Sequence, residues 1–470
     1  MRTKKLILSI LVMAFLTITV CFFLGCSDSL PESTDTSTDA PTNAATDADA
    51  LTVDDITFSD SDTKDSVTSN FTLPVTGEVN STTTITWTSG NTDVITIEGD
   101  VATVTRPVDA YITVELTATL KDTDGNTVTK TISVTVKCTA LILSGEVTTL
   151  AGSTKAGSAD GTGTDARFKN PIGIATDGTN LYVTDYSNYM IRKIGISSGV
   201  VTTIAGSTTA GSTDGTGTDA SFRGPTGAVI DGNNLYVSDC QGCNVRKIVL
   251  SSTEVTTYAG STEWSSGYTD GTGTEARFSY PLDITTDGTN LYVSDSESDK
   301  YNMIRKIVIS TGEVTTLAGS DEAGSVNGTG TDARFDSPWG ITTDGTNLYV
   351  SDSANNMIRK IVISSGVVTT LAGSTEPGSA DGIGTDARFH SPWEITTDGT
   401  NLYVADCDNN MIRKIVISSG VVTTLAGSTT AGSADGTGTA ASFHSPCGIT
   451  TDGTSLYVAD YDNNMIRKID

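Results

Sequence analysis

From Leu51 to about Lys137 apolar and polar residues alternate in short runs: Thr84-Ile85-Thr86-Trp87-Thr88, Ala102-Thr103-Val104-Thr105, Tyr111-Ile112-Thr113-Val114-Glu115-Leu116 and Thr131-Ile132-Ser133-Val134-Thr135-Val136. Successive side chains of a strand face opposite ways, so a period of two broken by turns such as Asp124-Gly125-Asn126 predicts an antiparallel sandwich. Trp87, set among threonines, is expected between its two sheets as core.

Beyond this segment the alternation becomes a repeat. Val-Thr-Thr begins at Val147, Val201, Val255, Val314, Val368 and Val422, a spacing of 54 residues with one unit five longer. Each unit carries a glycine-rich loop such as Ser158-Ala159-Asp160-Gly161-Thr162-Gly163, a proline with a short apolar run (Ile172-Gly173-Ile174-Ala175) and the turn Asp177-Gly178-Thr179-Asn180. Leu181-Tyr182-Val183-Thr184-Asp185 and Met190-Ile191-Arg192-Lys193-Ile194 complete it. Four short strands per unit, joined by turn residues, predict six blades of a β-propeller around a central channel.

The ends of the repeat region predict closure. The chain stops at Ile469-Asp470 after the third strand of its sixth unit, and Val147 to Leu150 is a fourth strand with no unit before it. The N-terminal strand is therefore expected to complete the last blade, which removes an exposed sheet edge.

Pro-x-Gly-Ile, Leu-Tyr-Val-x-Asp, Asn-x-Met-Ile-Arg-Lys-Ile and Val-Thr-Thr-Leu-Ala-Gly, in that order and six times over, closely resemble NHL repeats across residues 141–470. The preceding segment, with Ile85-Thr86-Trp87-Thr88-Ser89, Val104-Thr105-Arg106-Pro107 and Thr129-Lys130-Thr131-Ile132-Ser133-Val134, resembles an atrophied bacterial immunoglobulin-like domain over residues 51–138. The fold expected is all-β: a six-bladed NHL-like propeller on a small immunoglobulin-like sandwich that acts as a spacer.

At the other end, Met1-Arg2-Thr3-Lys4-Lys5, an apolar run from Leu6 to Leu24 and Gly25-Cys26-Ser27 follow the order of a secretion signal. Phe23-Leu24-Gly25-Cys26 resembles a bacterial lipobox, which implies removal of residues 1–25, lipidation of Cys26 and lasting attachment by several acyl chains. The mature protein is then extracytoplasmic and anchored to a bacterial membrane, with Ser27 favouring the outer membrane or cell surface. Residues 26–50, rich in Ser, Thr, Asp, Ala and Pro, are expected to be a disordered tether.

Composition narrows the partners. Acidic residues number 56 against 28 basic, a formal charge of −28, which excludes nucleic acid because phosphate binding needs a basic footprint. Positions kept in all six units are read as structural. Asp185, Asp239, Asp295, Asp352, Asp406 and Asp460 accept hydrogen bonds from turn amides. Phe168, Phe222, Phe278, Phe335, Phe389 and Phe443 fill the spaces between blades, and the six Arg-Lys pairs from Arg192-Lys193 to Arg467-Lys468 form solvated or paired faces.

Departures from the repeat point to chemistry. Asp283 and Glu394 replace glycine after Pro281-Leu282 and Pro392-Trp393; Trp339 and Trp393 occupy one position in adjacent units; His390 and His444, the only histidines, occupy another. This set, Trp339, Trp393, Glu394, His390, His444 and Asp283, is the candidate ligand site on one face, suited to a protein, peptide or glycan. Calcium at the aspartates and zinc at two histidines with a carboxylate lack the regular spacing of further ligands, so no cofactor is assigned. Cys240-Gln241-Gly242-Cys243 and the pair Cys407 and Cys447 are candidate disulfides in an oxidising compartment. No nucleophile, base and orienter occur together. The function expected is non-enzymatic binding, and the alternative that the resemblance implies is a metal-assisted lactonase- or lyase-like enzyme at the channel mouth.

Overall fold

The computed structural model describes residues 42–470 apart from 53–54, 59–66, 68–69, 78, 80, 93, 105–111, 137–140, 142, 264 and 298–299. Cys26, its lipobox and Cys138 lie outside the described residues.

The first element is a helix, Asn43–Ala50, capped by the Thr42 hydroxyl, which accepts from the Ala45 amide at 3.2 Å. The stretch expected to end the tether at residue 50 is thus ordered in its last turns. Ala44, Ala48 and Leu51 supply the apolar stripe that Ser and Thr upstream lack, and they join the core of the sandwich. Lys130 donates from Nζ to the Ala48 carbonyl at 2.8 Å, which satisfies one of the helix's last oxygens. One sheet orders Thr84–Ser89, Ile112–Lys121 and Thr127–Val136; the other orders Phe71–Thr72, Val101–Val104 and Ile95–Glu98. Trp87 is buried in this core, and its indole N–H donates to the Pro74 carbonyl at 2.7 Å.

Six five-stranded antiparallel sheets follow. In the first blade the inner strand Pro171–Thr176 is followed outward by Asn180–Asp185, Met190–Gly195 and Val200–Gly206. A two-residue strand that the sequence did not predict, Gly161–Thr162, pairs outside Val200 and Val201. The sixth blade closes as expected: Glu146–Gly152 pairs with Met465–Ile469, Val147 standing opposite Ile469 as Val201 stands opposite Ile194. Inner strands neighbour one another all the way round, the last against the first.

Blades are held to each other by aromatic cores and by a buried ionic unit. Phe168 packs with Ile174 and Val183 of its own blade and with Tyr457, Ala459 and Ile466 of the sixth. Over its ring, 5.1 Å from the centroid, lies the guanidinium of Arg192. That guanidinium pairs with Asp185 and with Asp160, both at 2.8 Å, and donates to the carbonyls of Arg167 and Ala159. Asp185 also accepts the Lys169 amide and the Asn188 side chain at 2.8 Å. Burial pushes Asp185 up to about 6, against the pull of these hydrogen bonds and of Arg192.

The arrangement recurs with small variations. Arg246 sits 3.8 Å from Asp239, and Arg359 meets Asn327 where the other blades have aspartate. All six arginines, expected on solvated or paired faces, are fully buried. The reason is topological: a strand in a blade has neighbouring blades on both sides, so the alternation that exposes a residue in a lone sheet buries it here. Only the adjacent lysines reach outward.

Candidate binding site at the mouth of the channel

Each inner strand enters at one face through its proline. Pro171 pairs with Asp185, after which the register slips by one residue before Ile174 meets Val183. The bulge re-aims the two residues after the proline, as bulges beside functional sites often do. At the first of these positions stand Ile172, Thr226, Leu282, Trp339, Trp393 and Cys447, and at the second Gly173, Gly227, Asp283, Gly340, Glu394 and Gly448.

The second position is a waist. A β-carbon on Gly173 would lie 2.0 Å from the Thr226 carbonyl oxygen, and one on Gly448 1.9 Å from that of Ile172, so glycine is what lets adjacent inner strands touch. Asp283 and Glu394 are the exceptions and send their carboxylates to the next blade. Asp283 accepts Ile341 N–H at 2.8 Å through Oδ2 and Ile284 N–H at 2.7 Å through Oδ1. Glu394 accepts Ile449 N–H at 3.0 Å and the Ile174 N–H. They are 3% and 7% exposed. The two acids therefore lie inside the channel, where backbone amides occupy their oxygens, instead of projecting from its mouth. Burial pushes Asp283 up to about 7 and Glu394 well above the usual carboxylate range, the latter also because Asp283 is near.

Below this waist the channel widens to about 200 Å³ lined by Ile174, Thr285, Thr342 and their counterparts. Above it opens a bowl of about 490 Å³. Trp339 and Trp393 form one wall as a stacked pair, centroids 4.1 Å apart and planes 16° from parallel, and Tyr461 meets Trp393 edge-on at 6.1 Å and 65°. Tyr186 and Tyr280 face them from the first and third blades, with Ile172, Leu282, Cys240 and Glu297 between. The Gln241 side chain holds the Tyr186 hydroxyl at 2.8 Å, and the Ser279 hydroxyl donates to Glu297 at 2.6 Å. The Tyr461 phenol, pushed up to about 12 by burial, is a neutral hydrogen-bonding group.

Of the six residues singled out by sequence, the structure brings together Trp339 and Trp393 in the bowl, with Asp283 and Glu394 beneath. His390 and His444 stand apart. Each is half exposed on its own loop, its Nε2 3.6 Å from Asp408 or Asp462, while its backbone amide serves the strand-end aspartate. They share a repeat position but do not line the cavity, because that position precedes the chain reversal that carries the proline inward. Among the described residues no three His, Cys, Asp or Glu side chains stand close enough to share a metal ion.

Neither candidate disulfide is formed. Cys240, Cys243, Cys407 and Cys447 are free and buried. The Cys240 thiol engages Thr226 on the inner strand instead of Cys243, and Cys447 donates to the Ser445 carbonyl at 3.2 Å and hydrogen-bonds Cys407 without a covalent link. The tyrosines were missed. Tyr186 and Tyr461 follow the strand-end aspartate where other blades have Cys or Ser, and Tyr280 precedes the proline where others have Asn, Gly or Ser. The contrast between units that revealed the tryptophans carries this signal too.

Residues 44–139 match the family described as the atrophied bacterial Ig domain. The chain is 28% identical over 322 residues to the chloroplastic protein SUPPRESSOR OF QUENCHING 1 of Arabidopsis thaliana, which takes in 65% of this chain and 30% of that one. It is 27% identical over 348 residues to NHL repeat-containing protein 2 of Bos taurus, with 64% of this chain and 46% of that one covered. The chain thus spans less than half the length of either relative. Among solved structures, a Bacteroides thetaiotaomicron protein of unknown function aligns at TM-score 0.55 and 21% identity, over 88% of this chain and 99% of that one. An auxiliary nutrient binding protein of the same organism aligns at TM-score 0.52 and 16% identity, over 88% and 97%. Both share the fold.

Proposed function

We propose that this chain, an NHL-type propeller behind an atrophied bacterial immunoglobulin-like domain, is a non-enzymatic binding protein held at the bacterial surface through a lipid on Cys26, with its ligand seated in the aromatic bowl. The observation that carries the reading is the stacked Trp339 and Trp393 pair walling a concave, largely pre-formed cavity. Rigid aromatic surface with a few polar groups at its edge is the usual make-up of a ligand pocket, and the six blades supply it only where they depart from their own repeat. The lactonase- or lyase-like alternative would have to draw on His390, His444, Asp283 and Glu394, of which the histidines stand apart from the bowl beside Asp408 and Asp462 and the acids accept hydrogen bonds from backbone amides.

A binding screen with glycans, peptides and small solutes, read by calorimetry, tests the site. Trp339→Ala and Trp393→Ala should each weaken any ligand at least ten-fold while leaving the fold cooperative. A ligand whose affinity neither change alters would place the binding face elsewhere. For anchoring, Cys26→Ser should abolish lipid labelling and release the protein from membranes; unchanged detergent partitioning would defeat that part of the reading.

A further inference from the structure

We propose that the bowl selects a ligand presenting an alkylated ammonium group, recognised by its positive charge against aromatic faces. The proposal rests on the bowl being the binding site and adds the chemical class of what enters it.

Three observations carry it. The first is geometric. Trp393 and Tyr461 meet at 65°, and Tyr186 and Tyr280 also line the bowl, so a guest in the bowl is met by aromatic rings set at different angles. Aromatic faces carry negative quadrupole density and attract cations, tryptophan most strongly. The second is charge. Among the described residues no Lys or Arg lines the bowl, whereas the Glu297 carboxylate does. Asp283 and Glu394 lie in the waist beneath it, held by backbone amides, and bring no cation to it. A site for a carboxylate, phosphate or sulfate would be expected to set a cation among its hydroxyl donors, and this wall offers none. The third is the whole-chain field: a net charge of −28 focused into a cleft with low-dielectric walls raises the local concentration of cations and repels anions. A neutral sugar would profit from the tryptophan face but not from the second and third features. A strongly hydrated primary ammonium would lose more water on entry than an alkylated one, which favours the bulkier, weakly hydrated head.

The test compares choline with 3,3-dimethyl-1-butanol, which has the same shape with carbon in place of the charged nitrogen, in calorimetric titrations of the full chain. Choline should bind at least ten-fold more tightly than the neutral isostere. Glu297→Gln should weaken choline several-fold and leave the isostere unchanged. Trp393→Phe, which keeps a ring, should retain most of the affinity that Trp393→Ala loses. Betaine and a trimethyl-lysine peptide carry the same group in different company, and preference among the three names its source. Equal binding of choline and the isostere, or binding of neutral glucose but not choline, would overturn the charge-based inference while the bowl survives as a site. Binding of choline untouched by Trp339→Ala and Trp393→Ala would sink the bowl itself.

Discussion

A single repeated side chain can do opposite things depending on what flanks its strand. Phe335 is fully buried between blades with the Arg359 guanidinium over its ring, so Phe335→Ala should destabilise the protein by roughly 3 to 5 kcal/mol through the cavity it leaves. Arg359→Ala should cost a similar amount, about 3 to 5 kcal/mol, because it strands Asp352 as an uncompensated buried charge. Denaturant melts of both variants check this, and a loss under 1 kcal/mol for either would mean the inter-blade unit is not the one described. The phenylalanines and aspartates were legible as structural from their sixfold recurrence. The arginines were legible as repeated structural residues and as paired, but their burial was not, since period-two alternation tells which side a residue takes but not whether another blade covers that side. The two waist acids lead to a pH prediction. Both have folded pKa values above those of the unfolded chain, Asp283 at about 7, so the native state holds extra protons. The stability this confers is fully present below about pH 4 and is lost as pH rises through about 7. Asp283→Asn with Glu394→Gln keeps the shape and removes the titration. Relative to wild type the double variant should gain stability as pH rises from 4 to 8, and the difference should stay level below pH 4. A difference that stays constant from pH 4 to 8 would contradict the burial of the pair.

Among elements, the inner strands line the channel and supply the tryptophan wall of the bowl, and the other strands carry the ring. Its proline, bulge and glycine were all readable as Pro-x-Gly, yet only the structure shows that the bulge sends the first position into the bowl and the second into the waist. That is why Trp339 and Trp393 stand in the bowl, whereas Asp283 and Glu394, grouped with them by sequence, lie one level lower in the waist. The histidines were grouped with them because repeat position locates a residue along its blade but not its distance from the axis. The helix Asn43–Ala50 illustrates the same limit from the other side: eight residues of low hydrophobicity read as tether, but Ala44 and Ala48 suffice when a sheet waits to receive them. Beginning the chain at Leu51 should therefore lower the melting of the sandwich, and unchanged melting would return the helix to the tether.

For the whole molecule, closure decides whether a site exists. Tyr186 belongs to the first blade and Tyr461 to the sixth, so the bowl is assembled across the seam where Glu146–Gly152 completes the last sheet. The sequence made this seam visible because its two fragments complement each other; it could not show that five aromatic rings from five different blades converge above it. An open ring would expose the Met465–Ile469 edge and the cores that Val147 and Ala151 fill. The most direct measurement is thermal unfolding, followed by circular dichroism, of two chains that both lack the immunoglobulin-like domain, one beginning at Leu141 and one at Ser153. The first should melt cooperatively at the temperature of the propeller in the full chain; the second should melt far lower and broadly, with its open edge driving association. Indistinguishable melts would contradict a ring closed by its N-terminal strand, and with it the bowl.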